Sequence, residues 1–159
     1  PVGAHSSGYI GESPAVIPNN LVPRITGTAI GKYPLLKVFG YELPTRDGSC
    51  IRDYIHVMDL AEAHTAALKY LQNQTKVHTH DIVNLGSGEG VTVLELITAF
   101  EKATGIMVSK ELTSPREGDV VAVYSDNTKA NQLLHWSPKR TIEDMMTSAW
   151  VWEQKNQKN

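Results

Sequence analysis

Twice along this chain a short run rich in apolar and β-branched residues passes, within a few positions, into a stretch whose apolar residues recur with helical spacing. "SCIRDYIHV" leads into "MDLAEAHTAALKYL", and "HDIVNLGSGEG" leads into "VTVLELITAFEKATG". A strand period running into a helix period is the sequence form of a strand–helix unit, and two of them restrict the chain to a mixed α/β fold.

The remaining segments fit that class. Asn19 or Asn20 is placed to cap a helix over about 20–30, with Pro23 tolerated in its first turn and Gly31 as its stop. "LLKVFG" reads as a short strand, and "YELPTRDGS" as a polar loop with Asp47-Gly48 as its turn signal. A strand over 51–57 follows, then a helix capped by Asp59 with Leu60, Ala63, Ala67, Leu68 and Leu71 on its core face. A second buried strand is expected at 81–86. Thr92 and Glu95 form a capping box for the next helix, which Gly105 ends. Strands near "MVSKEL" and within "DVVAVYSD" precede a short helix around "NTKANQLLHW". The last helix starts at Thr141, and its stripe is Ile142, Met145, Met146, Ala149 and one of Trp150 or Trp152.

Composition narrows the function. With 159 residues, a net charge of −2 and 41% hydrophobic content, the chain suits one globular domain with a real core. No Lys/Arg run builds a basic stripe, which excludes nucleic acid as the expected partner. No apolar run approaches a membrane span, so no membrane is expected and the cytoplasm is the default compartment. The single cysteine, Cys50, cannot form an internal disulfide. The opening "PVGAHSSGYIGESP" has turn formers and no regular period, and it reads as a chain entered midway, a piece of something larger.

Several motifs resemble chemistry without supporting it. Gly86, Gly88 and Gly90 sit between a strand and a helix, but Val91 breaks the G-x-G-x-x-G spacing of a dinucleotide loop, and a tight turn is the expected role. Tyr33 and Lys37 have the spacing of a reductase Tyr-x-x-x-Lys pair, yet Pro34 and Gly31 deny them one helical face. His78 and His80 are only two ligands beside a polar linker, so a solvated turn is expected and no metal. His5, His56 and His64 are expected to be structural. Two arginines remain. Arg52 leaves a strand beside Asp53, and Arg116 lies in "SPREGD"; a guanidinium fork in either place suits a phosphate, but local ion pairs, Arg52 with Asp53 and Arg116 with Glu117, fit the spacing equally well.

Taken in order, "PVGAH", "IPNNLVP", "KVFG", "RDYIHVMDLAEAH", "NLGSGEGVTVLEL" and "REGD" make nearly the whole chain similar to the C-terminal half of the UDP-glucose 4-epimerases, which are extended short-chain dehydrogenases/reductases. That resemblance implies a substrate-binding lobe over 1–159, with 51–86 completing the parallel sheet of a Rossmann-type NAD domain whose N-terminal half precedes this sequence. It implies NAD as cofactor, held by that absent half together with the catalytic Tyr-x-x-x-Lys pair, and hence no catalytic residue here. It implies that the diphosphate of a UDP-hexose is held by Arg52, with Tyr54 in the same motif, and by Arg116. Asp119 then meets the ribose, Asn20 and Leu21 lie beside the nucleotide, and Lys37, Val38 and Phe39 hold the uracil. The lysine replaces a small residue expected there, so its side chain is expected to point away. Val123 is expected at the wall near the sugar's 2-substituent, with Tyr124 facing the other way. In such enzymes hydride leaves and re-enters at the sugar 4-carbon while the 4-keto sugar swings about its diphosphate, so the grip belongs on UDP. The intact enzyme is expected to be a homodimer partnered by UDP-sugar. Another UDP-sugar-modifying reductase, such as a UDP-glucuronate epimerase or decarboxylase, and a stand-alone nucleotide-sugar-binding module are the alternatives.

Overall fold

The computed structural model describes residues 1–74 and 80–157. Nine elements follow in order: α1 (Leu21–Ala29), β1 (Leu36–Phe39), β2 (Ile51–Arg52), α2 (Val57–Gln72), β3 (Val91–Thr92), α3 (Val93–Thr104), β4 (Lys110–Thr113), α4 (Thr128–Leu134) and α5 (Ile142–Asn156), all within the described residues. β1 and β4 pair in parallel, Leu36 opposite Lys110 and Phe39 opposite Thr113. β2 and β3 pair antiparallel.

Two apolar clusters hold these elements together. The larger joins α1, β1, α3 and α5 through Ile25, Leu36, Val38, Leu96, Ile97, Phe100, Met145 and Met146. Phe100 meets Trp150 edge to face, centroids 5.7 Å apart, which adds directional packing to burial. The smaller cluster sets α2 against α4 through Ile55, Ala63, Ala130 and Trp136, whose indole N–H donates to the Asp59 carbonyl at 3.0 Å. Both capping boxes form as their sequences require, Thr92 with Glu95 and Thr141 with Asp144. Gly105 ends α3 at φ +72°, and Gly31 follows α1 at φ +86°.

The strands depart most from expectation. The predicted strand over 51–57 is regular only at Ile51–Arg52; single parallel bridges join Ile51 to Ala122 and, beyond β2, His56 to Val2. The predicted strand at 81–86 has no ladder among the described residues, and the one expected in "DVVAVYSD" is reduced to the Ala122 bridge. Side chains take over at the ends of these segments. The Asp53 carboxylate accepts from the backbone N–H of Ser87 at 2.7 Å and of Ser125 at 2.9 Å, while the Asn127 amide takes both the N–H and the carbonyl of Gly86. At the ends of these segments, Gly86, Ser87 and Ser125, the backbone groups are thus satisfied by side chains instead of a ladder. Parallel pairing is present, but between β1 and β4.

α2 also differs. Its N-cap is His56, whose Nδ1 accepts from Met58 N at 3.0 Å; Asp59 lies inside the first turn, fully buried, and accepts from the backbone of Lys139 and Arg140 and from the Arg140 guanidinium. Of the predicted core face only Ala63 is buried. Leu68 and Leu71 are 63% and 50% exposed, so that stripe lacks a covering layer among the described residues. No described helix is long and apolar enough to cross a membrane.

Candidate functional site

The N-terminal turn of α1, β1, the start of β2 and the 116–119 turn surround a cleft of about 730 Å³. α1 contributes Leu21, with Asn20 at its cap. β1 contributes Lys37, Val38 and Phe39; Val38 is buried in the core, whereas Lys37 and Phe39 occupy the opposite side of the strand. The guanidinium of Arg116 lies over the Phe39 ring, 4.7 Å from its centroid. Lys37 is exposed on the same side of β1 as Phe39.

Arg52 and Arg116 converge on one acid. Arg116 donates from Nε to Asp119 at 3.2 Å, and Arg52 Nη2 approaches the same carboxylate at 3.7 Å. Arg52 is aimed by its own backbone and by a neighbouring loop, since its Nη1 donates to the carbonyls of Ile51 and Val120, each at 2.8 Å. The hydrogen bond from Arg116, with the charge of both arginines, holds the Asp119 carboxyl below the usual carboxylate range. Neither local pair read from the sequence is the one formed: Asp53 serves Ser87 and Ser125, and Arg116 chooses Asp119 over Glu117. Two cations against one anion leave a net positive pole in the cleft, with donors on planar forks that suit phosphate oxygens.

The other candidates divide as follows. Asn20, Leu21, Val38, Phe39 and Tyr54 all border the cleft with the arginines. Tyr54 belongs to the main core, and burial pushes its hydroxyl up, out of the titrating range. Val123 does not border it. It lies in an adjoining open hollow with Arg52, Asn84 and Leu85, and Tyr124 borders that hollow too instead of facing away. The Tyr124 ring is packed over Gly90, where an added Cβ would stand 2.9 Å from it. Without a ladder at 123–126 the strand alternation that would separate the two is not enforced.

Several residues at the cleft escaped sequence reasoning: Ile17, Pro18, Asn19, Leu36 and Val93, and two with reactive or charged side chains, Arg24 and Cys50. Arg24 had a signal: it follows Asn20 by one helical turn and so shares its face. The loop at Gly86–Gly90 is a packed turn, as expected. A Cβ at Gly86 would fall 2.0 Å from the Asp53 carboxylate, and the Ser87 N–H that a phosphate would use already bonds that acid. Among the described residues no three His, Cys, Asp or Glu side chains are grouped to hold a metal. His80 is exposed, and His78 lies outside the described residues.

Comparison with known proteins gives this arrangement relatives. The GDP-mannose 4,6 dehydratase family profile matches residues 3–149. The chain is 49% identical over 156 residues to a bifunctional UDP-glucose 4-epimerase and UDP-xylose 4-epimerase 3 of Arabidopsis thaliana, covering 98% of this chain and 44% of that protein. It superposes, with a TM-score of 0.93 and 42% identity, on a UDP-glucose-4-epimerase from Stenotrophomonas maltophila solved with NAD and formylated UDP-arabinopyranose, covering 99% of this chain and 46% of that one. A UDP-glucose 4-epimerase from Bifidobacterium longum in complex with NAD+ and UDP gives a TM-score of 0.91 at 41% identity, covering 98% and 45%. The chain spans less than half the length of these relatives.

Proposed function

The chain belongs to the GDP-mannose 4,6 dehydratase family, and on that premise we propose that it is the UDP-hexose-holding part of a UDP-glucose 4-epimerase. The observation that carries this is the convergence of Arg52 and Arg116 on Asp119 in a cleft floored by β1. In this reading the two guanidinium groups turn from Asp119 to the diphosphate, whose oxygens they meet as forks. Asp119 keeps lone pairs for a ribose hydroxyl, since a carboxylate accepts at about four sites. Asn20 and Leu21 flank the nucleotide, and Lys37, Val38 and Phe39 border the base. Tyr54 borders the same cleft as Arg52. Val123, in the neighbouring hollow that Arg52 shares, lies where a sugar beyond the diphosphate would extend.

NAD is the cofactor of the intact enzyme in this proposal, and it does not fit the residues present. The one glycine-rich turn after an apolar segment is closed onto Asp53, so NAD is assigned to a further N-terminal portion. That portion is also the proposed partner for the uncovered face of α2. Binding energy placed on UDP leaves the reacting ring unclamped, which is what a sugar that must present both faces requires. The proposed enzyme is soluble, cytoplasmic and dimeric.

The test is calorimetric titration of UDP into this chain. Arg52→Ala and Arg116→Ala are each expected to weaken binding by about 1.5 to 3 kcal/mol, the range of hydrogen bonds to charged groups. Lys139→Ala, whose ammonium pairs with Glu62 away from the cleft, is expected to leave it unchanged. UDP affinity unaltered in both arginine variants returns Arg52 and Arg116 to a structural pairing with Asp119.

A further inference from the structure

The segment from Val120 to Ser125 runs beside β2 with little burial to hold it. Val120, Val123 and Tyr124 are each more than half exposed, and the turn before it is made at Gly118, φ +81°, with nothing within 4 Å of where a Cβ would stand. Hydrogen bonds from three consecutive residues set its place instead. Ile51 donates its N–H to the Val121 carbonyl at 2.9 Å and accepts from Val123 N at 3.1 Å, which makes one parallel bridge. On one side of that bridge Arg52 Nη1 donates to the Val120 carbonyl at 2.8 Å. On the other side Ser125 N and Oγ donate to Asp53 Oδ2 at 2.9 and 2.6 Å.

The order of these bonds shows what the carboxylate does. A parallel ladder repeats every two residues, so after Val123 N on the Ile51 carbonyl the next bond would run from Ser125 N to the Asp53 carbonyl. The Asp53 side chain takes that donor instead and carries the pairing one repeat past the bridge. Its other oxygen accepts from Ser87 N at 2.7 Å and Ser87 Oγ at 2.5 Å, so the carboxylate is itself held from a third segment. Two backbone bonds alone would leave the residues around the bridge room to shift, and with them the Val120 carbonyl that aims Arg52.

We propose that Asp53 is a positioning residue for Arg52: by pinning Ser125 it fixes the 120–125 segment, whose Val120 carbonyl then holds the guanidinium toward the diphosphate. The proposal rests on the UDP reading above. UDP is the suitable probe, because Asp53 borders the hollow assigned to the sugar but not the cleft assigned to the nucleotide. Charge alone gives the opposite sign, since replacing an anion near the site by a neutral amide favours a bound diphosphate.

Calorimetric titration of UDP into the whole chain, below the melting temperature of every variant, compares the native protein, Asp53→Asn, Arg52→Ala and the double variant. Asp53→Asn is expected to weaken UDP about fivefold, and less than twofold once residue 52 is alanine, a coupling of the size found within one hydrogen-bond network. Where Asp53→Asn gives no cooperative melt, Ser125→Ala, which removes one donor to the carboxylate and keeps the backbone bond, carries the same cycle with a loss of about threefold expected. A lowered melting temperature with unchanged UDP affinity would make Asp53 a support of the fold alone and overturn the proposal. Tighter binding, or an equal loss in both Arg52 backgrounds, would overturn it as well. In each of these cases a loss of affinity in Arg52→Ala leaves the diphosphate reading standing, whereas a native chain that does not bind UDP overturns both.

Discussion

Asp53 shows how a single residue was legible in type while its partner stayed open. Beside Arg52 in sequence it is one of two equal readings for that arginine, a counter-ion, yet its carboxylate accepts from Ser87 N and Oγ and from Ser125 N and Oγ, at 2.5 to 2.9 Å, and so joins three segments behind the cleft. Burial pushes its carboxyl up, but the bonds from Ser125 and Ser87 outweigh that and hold it below its ordinary value. A carboxyl depressed on folding contributes stability that is present above the unfolded value, about 3.9, and is lost as pH falls through the folded one. Asp53→Asn is therefore expected to destabilise the chain by about 1–3 kcal/mol at neutral pH, the range for leaving such donors poorly satisfied. It should also flatten the steepest part of the acid limb in denaturation curves recorded from pH 5 downward, and an unchanged limb would assign that limb to other carboxylates. What sequence could supply at this scale was residue chemistry, two phosphate-suited arginines and an acid in "REGD". Arg116 meets Asp119 within one turn of its own, but that Arg52 approaches the same acid depends on the return of the chain at 116–120, about which local spacing carries no information.

Among the elements, helices were more legible than strands, of which only β1 and β4 form near their expected places, because their hydrogen bonds close over different distances. Thr92 with Glu95, Thr141 with Asp144, and Gly105 all act within one turn of themselves. A strand needs a distant partner, and the segment at 81–86 finds none among the described residues; only its last residue, Gly86, has its backbone groups taken, by the Asn127 amide. The start of α2 was misplaced for a related reason: Asp59 is a good capping type, but Lys139, Arg140 and Trp136, distant in sequence, claim it, and His56 caps in its place. His56 is 3% exposed, and its Nε2 meets Ser148 Oγ at 3.1 Å. Burial, then the nearby Arg140 charge, lowers its tendency to protonate, against the opposing fields of Asp59, Asp144 and Glu62. Because the folded value lies below the unfolded one, near 6.5, the unfolded chain binds the proton first and stability falls as pH drops through that value. Melting temperature is expected to decline from pH 7.5 to pH 5.5 in the native chain. His56→Asn keeps an N-cap acceptor without a titrating ring, so its melting temperature should vary less over that interval. Parallel declines in the two proteins would place the titrating group elsewhere.

For the whole molecule, the uncovered apolar face is the feature that bears on activity. Leu68, Leu71 and Ile82, the last 72% exposed, lie along and beside α2, and the helical period that marks this face as core is an accurate reading of chemistry whose covering layer is not among these residues. The relatives are more than twice as long as this chain, so the occupant assigned here is the proposed NAD-binding portion. Two consequences separate that occupant from a second copy of the chain. Leu68→Lys with Leu71→Lys should leave the isolated chain's melting temperature nearly unchanged, since exposed positions away from special features usually contribute within about 0.5 kcal/mol, and should not alter its mass by light scattering. The isolated chain should neither retain NAD nor interconvert UDP-galactose and UDP-glucose, because the described residues hold no dinucleotide cradle and the Tyr33–Lys37 pair is divided between the loop after α1 and a strand. Joined to the NAD-binding portion of a relative, the native chain should gain both properties, and the double lysine variant should lose them through failed docking while its UDP affinity persists. Dissociation of a dimer by the lysine substitutions would identify the face as a contact between copies. Epimerase turnover by the isolated chain, free of full-length enzyme, would contradict the assignment of the chemistry to another portion.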